Sequence, residues 1–212
     1  MTAAAHRPPG AAAAPAPVPA AGLAEAEAAA RACTLCAPVL PLGPRPIMQL
    51  DPRARILITS QAPGTKAHLS GIPFDDASGE RLRDWLGVDR DTFYDPACFA
   101  ILPTGLCYPG RLPRGGDAPP RPECAPLWHP RIVPLLTGVR LRLLVGSYAI
   151  RRVLGAKGPP LAERVRRHAD VQPAHFPLPH PSWRTLAWAK RNPWFEAEVI
   201  PALRRDVSRL LR

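Results

Sequence analysis

The stretch Ala54-Arg55-Ile56-Leu57-Ile58-Thr59-Ser60-Gln61-Ala62-Pro63-Gly64 decides how the chain is read. Its aliphatic run lacks apolar/polar alternation, which suits a strand covered on both faces in a parallel sheet. Proline and glycine then end it in a turn. Residues 98–102, 141–145 and 174–178 have the same character. Between these runs, residues 79–86, 124–136, 147–154, 160–168 and 193–212 carry helical patterning. In the last of them Trp194, Val199, Leu203, Val207, Leu210 and Leu211 form an apolar stripe, with Arg204, Arg205, Arg209 and Arg212 facing water. Alternating strands and helices predict an α/β fold: a three-layer α/β/α sandwich around a central four-stranded, mostly parallel sheet.

Proline accounts for 30 of the 212 residues, about 14% against a usual ~5%. It breaks long helices and central strands, so a coiled coil or helical solenoid is excluded. The aliphatic runs fall far short of the ~18 apolar residues that span a bilayer, so no membrane is expected as a partner. Residues 1–22 are almost entirely Ala and Pro and read as a disordered tail without the pattern of a signal peptide. The folded domain is expected over residues 23–212, opening with a short helix over residues 23–32.

Lys and Arg number 28 against 17 Asp and Glu, a formal charge of +11. Arginine dominates the cations, and its planar fork suits phosphate, so a polyanion such as DNA is the expected partner. A GC-rich coding bias toward Arg, Ala and Pro is the alternative source of this charge.

In parallel α/β sheets, ligands bind beyond the carboxyl ends of the strands. The turns at issue are Ser60 to Gly64, Pro103 to Cys107 and Pro179 to Arg184. There is no GxGxxG and no GxxxxGK[ST], which removes the main support for dinucleotide binding and P-loop chemistry. No His-x-Glu accompanies a Cys pair, against a zinc deaminase. No GxSxG marks a nucleophile elbow.

Five cysteines are present, with Cys33 and Cys36 in a CxxC and Cys107 and Cys124 further on. The odd count predicts a reducing, cytoplasmic setting, where such cysteines bind metal more often than they pair. Thiolates select zinc or iron–sulfur clusters; unliganded buried thiols are the alternative. Cys98 lies within an expected strand and reads as a core residue.

The three turns and four cysteines together resemble the uracil-DNA glycosylase superfamily, in particular its iron–sulfur members, families four and five. The resemblance covers about residues 30 to 205. Gln61-Ala62-Pro63-Gly64 resembles the first family motif, residues 71–79 the stretch after it, and His180-Pro181-Ser182 the second signature. The resemblance implies that Cys33, Cys36, Cys107 and Cys124 hold a [4Fe–4S] cluster, with zinc or no metal as alternatives. It implies a monofunctional DNA glycosylase, acting as a monomer, that flips and excises uracil or another deaminated base to start base excision repair. A catalytically silent, metal-binding protein recognising DNA lesions is the second reading.

The resemblance also assigns roles. Phe74 stacks on the flipped base, and His180 donates to its carbonyl oxygen, where anionic charge develops. Backbone N–H groups at Ala62 and Gly64 add donors, and Gly64 permits close approach. Family one carries Asp at the position of Ala62 and family four Glu at that of Gln61; this chain has no carboxylate in the motif. Gln61 orients a water but cannot take its proton. Asp76, at the family-five position, is the expected water activator or oxocarbenium stabiliser, with Asp75 second; helix capping is the alternative for either. Strict uracil enzymes have Asn where this chain has Pro103, followed by Thr104 as a base contact, so hypoxanthine and xanthine join uracil as expected substrates. Ser182, Trp183 and Arg184 form the expected DNA wedge. Arg111, Arg114 and Arg121, between the third and fourth cysteines, are the expected phosphate contacts.

Overall fold

The computed structural model describes residues 22–113 and 115–212. The expected tail, Gly22 apart, and Arg114 lie outside the described residues. The four runs form β1 (Ile56–Thr59), β2 (Phe99–Ile101), β3 (Leu141–Val145) and β4 (His175–Leu178). They pair in the order β2-β1-β3-β4, every pair parallel. Ile58 stands between Ile101 and Leu143, and Leu143 faces Phe176.

The runs fail to alternate because both faces are covered. Ile56 and Ile58 join one apolar layer, with Leu82, Leu86, Phe93, Leu203 and Val207; Leu57, between them, joins the other, with Ala30, Trp128 and Ile132. The first layer is roofed by α3 (Ala77–Leu86), α4 (Arg90–Tyr94) and α9 (Ile200–Leu210); the second by α1 (Leu23–Arg31) and α5 (Cys124–Ile132). α2 (Thr65–Ser70), α6 (Ser147–Leu154), α7 (Leu161–Arg166) and α8 (Arg184–Arg191) complete the connections. The chain therefore has the α/β/α architecture that its patterning predicts.

Segment ends depart from expectation where proline intervenes. The segment expected over residues 124–136 tightens into a 3₁₀ turn, Val133–Leu135, around Pro134. In the segment over residues 193–212, a π-helical turn at Phe195–Val199 precedes α9, which starts afresh with Pro201 in its first turn. Val199, Leu203 and Val207 of the expected stripe are buried.

The outer strands are short. β2 has only three residues, and Gln49 forms an antiparallel bridge to Ile101 along it. On β4, Ala174 and Leu178 carbonyls accept from Arg142 and Gly146 of the β3 side. Pro177, odd-numbered, therefore turns its ring nitrogen to the open edge, where a strand tolerates proline.

Candidate active site

The carboxyl ends of β1, β2 and β4 open onto one pocket, lined by residues that include Ser60, Ala62, Gly64, Phe74, Asp76, Pro103, Asp117 and His180. Three separate segments thus bring an imidazole, an aromatic ring and two carboxylates together: the connection between α2 and α3, the hairpin of Asp117, and the turn after β4.

His180 follows β4 on a loop fixed by its own backbone. Its carbonyl accepts from the Ser182 N–H at 2.8 Å and from the Thr185 hydroxyl. Arg81 Nη1 donates to the Pro181 carbonyl at 2.8 Å. Gly146, at φ +88°, passes so close that a Cβ there would stand 3.3 Å from His180 Cβ. Burial lowers the His180 pKa, while the Asp76 charge opposes the shift. Burial thus favours the neutral ring, which has one N–H to donate.

Phe74 has φ +57°, a left-handed backbone that bulky residues avoid. Tyr94 Oη donates to the carbonyls of Pro73 and Phe74 at 3.0 and 3.1 Å. Gly79 makes room, since a Cβ there would fall 1.8 Å from the Phe74 oxygen. The ring meets Phe93 edge to face at 6.2 Å. Such strain, over-determined by its surroundings, is typical of ligand clamps.

The two consecutive aspartates part company. Asp76 caps α3, its Oδ1 accepting from the Gly79 N–H at 2.9 Å, and it also lines the pocket. Capping and a pocket-facing position coexist in one residue. Asp75 instead accepts from Arg90 Nη2 at 3.2 Å, a pairing that lowers its pKa, and it does not line the pocket.

Ala62 and Gly64 line the pocket, and among the described residues neither N–H has a hydrogen-bond partner within the protein. Gln61 does not line it; its Nε2 donates to the Ala118 carbonyl at 3.2 Å. Thr104 is buried, and its hydroxyl lies 2.9 and 2.6 Å from the carbonyls of Ser60 and Gln61. Its side chain ties two turns together instead of meeting a base; Pro103 forms the wall there.

Trp183 is 72% exposed, with the Arg184 guanidinium 5.2 Å from its ring centre. Arg184 opens α8 and also lies against Gly116, where a Cβ would stand 3.3 Å from its Nη1. Arg111 is exposed and bridges Asp117 across an antiparallel hairpin. Sequence reading missed Asp117, which sits in a Pro/Gly-rich loop with no motif around it. Burial raises its pKa; Arg111 pulls it down and Asp76 pushes it up.

A second recess lies under the same loop. Cys33, Cys36, Cys107 and Cys124 all line it, with Arg121 and Trp128. Arg121 is therefore part of this recess, its Nη2 donating to Glu123 at 3.0 Å. Cys124 Sγ accepts from the Leu106 N–H at 3.3 Å. Burial raises both the Cys107 and Cys124 thiols, Cys124 to about 12. Arg121 Nε and Trp128 Nε1 are buried without a partner among the described residues. No three His, Cys, Asp or Glu among the described residues converge as a single ion requires. Cys98 stands apart, its Sγ 3.5 Å from Asp95 Oδ2. No helix among the described residues is long and apolar enough to cross a membrane.

The family model for the Uracil DNA glycosylase superfamily matches residues 47–204. That span contains all four strands and every residue named in the pocket. The match covers well over half of the chain, which therefore belongs to the uracil DNA glycosylase superfamily, whose members are typically hydrolases acting on DNA.

Proposed function

We propose that this chain is a monofunctional DNA glycosylase that extracts uracil, or another deaminated base, from the helix and hydrolyses its N-glycosidic bond. One observation carries the reading: His180, Phe74 and Asp76 line a single pocket beside the N–H groups of Ala62 and Gly64, which are free among the described residues. Flipping a base out of the stack costs a few kcal/mol, which contacts in the pocket must offset. Phe74 offers a ring face for stacking, and the exposed Trp183, with Ser182 and Arg184, fills the vacated space. Arg111 faces the DNA backbone.

Bond breaking leaves positive charge on the sugar and negative charge on the departing base. The neutral His180 N–H and the Ala62 and Gly64 amides meet the negative charge; one such preorganised donor contributes about 3 to 4 kcal/mol. Asp76 places a carboxylate on the sugar side, where it stabilises the cation and orients water. The wall that would hold an amide reader is Pro103. With no bidentate reader of the pyrimidine edge, hypoxanthine and xanthine enter the substrate range with uracil.

We further propose that Cys33, Cys36, Cys107 and Cys124 hold a [4Fe–4S] cluster. Four thiols rim one recess with unpaired N–H donors beside them, and hydrogen bonds to sulfur are a regular feature of such sites. Zinc held by the same four thiolates is the second reading, since thiolates select either group. When bound, the group supplies a cross-link between the chain after α1, the turn after β2 and the start of α5, and no bond-making chemistry.

The test is strand cleavage by alkali after incubation with oligonucleotides carrying uracil, hypoxanthine or xanthine. Abasic-site formation on at least one is expected. Binding to all three lesions with no base released would establish the silent lesion-recognition reading instead.

A further inference from the structure

The first family motif lacks a carboxylate in this chain, yet two carboxylates meet where that motif turns. A Cβ on Gly64 would stand 3.5 Å from Asp117 Oδ2 and 3.7 Å from Asp76 Oδ2. Asp117 comes from a hairpin between the third and fourth cysteines. Its strands are joined by the Leu112 N–H to the Gly116 carbonyl at 2.9 Å and the Ala118 N–H to the Gly110 carbonyl at 2.8 Å. The side chain that holds this hairpin to the motif is Gln61, through the Ala118 carbonyl, one residue from Asp117.

We infer that Asp117 is a catalytic residue of this site, the base for the attacking water, and that Gln61 is the positioning residue that brings it there. The inference rests on the glycosylase reading above. It divides the work between the two carboxylates by what each is bound to. Asp76 has Oδ1 committed to the cap of α3, and stands as a fixed negative charge beside the sugar. Asp117 Oδ1 and Oδ2 make no hydrogen bond among the described residues, so its carboxylate is free to take a proton.

The step balances without a further reactant. The C1′–N bond breaks and its electron pair leaves with the base. A water oxygen bonds to C1′, one water proton stays as the new hydroxyl, and the other passes to Asp117. From there it returns to the base anion or to solvent. Arg111 on its own hairpin and Asp76 at the start of α3 act on Asp117, His180 after β4 lines the same pocket, and Arg184 lies against the neighbouring Gly116. Burial and Asp76 hold the Asp117 pKa above the usual carboxylate range, nearer to working pH, where a general base is most effective.

The test uses the full chain with two readouts. Single-turnover base release against pH is compared for the wild type, Asp117→Asn, Gln61→Ala and Gly64→Ala. Asp117→Asn is expected to lower the rate about a hundredfold and to abolish the acid limb of the profile. Gln61→Ala keeps that limb but moves it toward the ordinary carboxylate range as Asp117 gains water; a purely structural role would leave it unmoved. Gly64→Ala leaves the hairpin intact, and φ −83° accepts alanine, but the added methyl group occupies the space between the carboxylates and lowers the rate about tenfold or more. The second readout is affinity for DNA carrying a cationic pyrrolidine abasic analogue against its neutral tetrahydrofuran counterpart. The wild type is expected to prefer the cation, and Asp117→Asn to lose most of that preference. An Asp117→Asn variant with wild-type rate, limb and preference overturns the inference. A wild type that releases no base overturns the glycosylase reading, while the cation preference still reports whether Asp117 faces the sugar.

Discussion

The pocket around His180 and the recess around the four cysteines share a loop and a helix but are built on opposite terms. In the pocket, protein groups already hold the working side chains: the His180 loop by Ser182, Thr185 and Arg81, Phe74 by Tyr94, and Asp76 by its own helix. In the recess, burial disfavours the charged forms of the Cys107 and Cys124 thiols, and two N–H donors have no partner among the described residues. One region is preorganised by the chain alone. The other has buried polar groups that only a guest would satisfy, and such groups are costly to leave unpaired. The helix α5 serves both, with Cys124 at its start and His129 five residues on. His129 Nε2 donates to the Pro103 carbonyl behind the pocket at 2.9 Å, and its Nδ1 accepts from Arg142 at 3.1 Å.

The sharpest way to break this contrast is His180→Ala. It should lower base release by about two to three orders of magnitude, measured in single turnover, and leave DNA binding and Tm near wild type. A large fall in Tm would mean that the pocket is not independently braced.

Next in size is acid sensitivity through α5. Burial holds His129 at about 4, against an ordinary 6.5. The unfolded chain therefore binds the extra proton first, and stability falls as pH drops from about 6.5 toward 4, by about 3 kcal/mol in total. Urea unfolding across that window measures it, and His129→Gln should flatten that part of the profile.

The recess predicts iron and acid-labile sulfide in equal amounts in protein purified without oxygen. Cys124→Ser should lose both and lower Tm by about 5 to 10 °C, the effect of losing a group bound at about a hundredfold excess over its Kd. Zinc in place of iron, or an unchanged Tm, would remove the contrast from the recess side.

The smallest effect is expected at Asp75→Asn. Its partner Arg90 is exposed and the pair lies outside the pocket, so stability should change by no more than about 1 kcal/mol, with base release unaltered. A large rate loss would place Asp75 in the chemistry after all.

The sheet was legible because buried parallel strands write continuous aliphatic runs, and Leu141–Val145 appears with the ends its sequence predicts. α2 and α4, of six and five residues, are too short for a helical period to show, and α8 begins where the sequence reading expects the wedge loop to continue. The motifs behind the family resemblance singled out His180, Phe74 and Asp76, and these three do line one pocket. Thr104 was misread because spacing places a residue beside the pocket without saying which way its hydroxyl turns. Asp75 and Asp76 are adjacent, and only helix-cap geometry separates them. Asp117 carried no local signal at all; its approach to Gly64 is made by the hairpin and by Gln61.

The blunted borders of the sheet bear on how the chain behaves when crowded along a DNA polymer. A sheet margin with free donors and acceptors invites a second copy to extend it, the usual route to aggregation. Here one margin is three residues long and bridged by Gln49, and the other presents a proline nitrogen that cannot donate. Neighbouring copies meet only a short or donor-poor template for strand addition, at margins that run alongside the carboxyl-end rim and not across it.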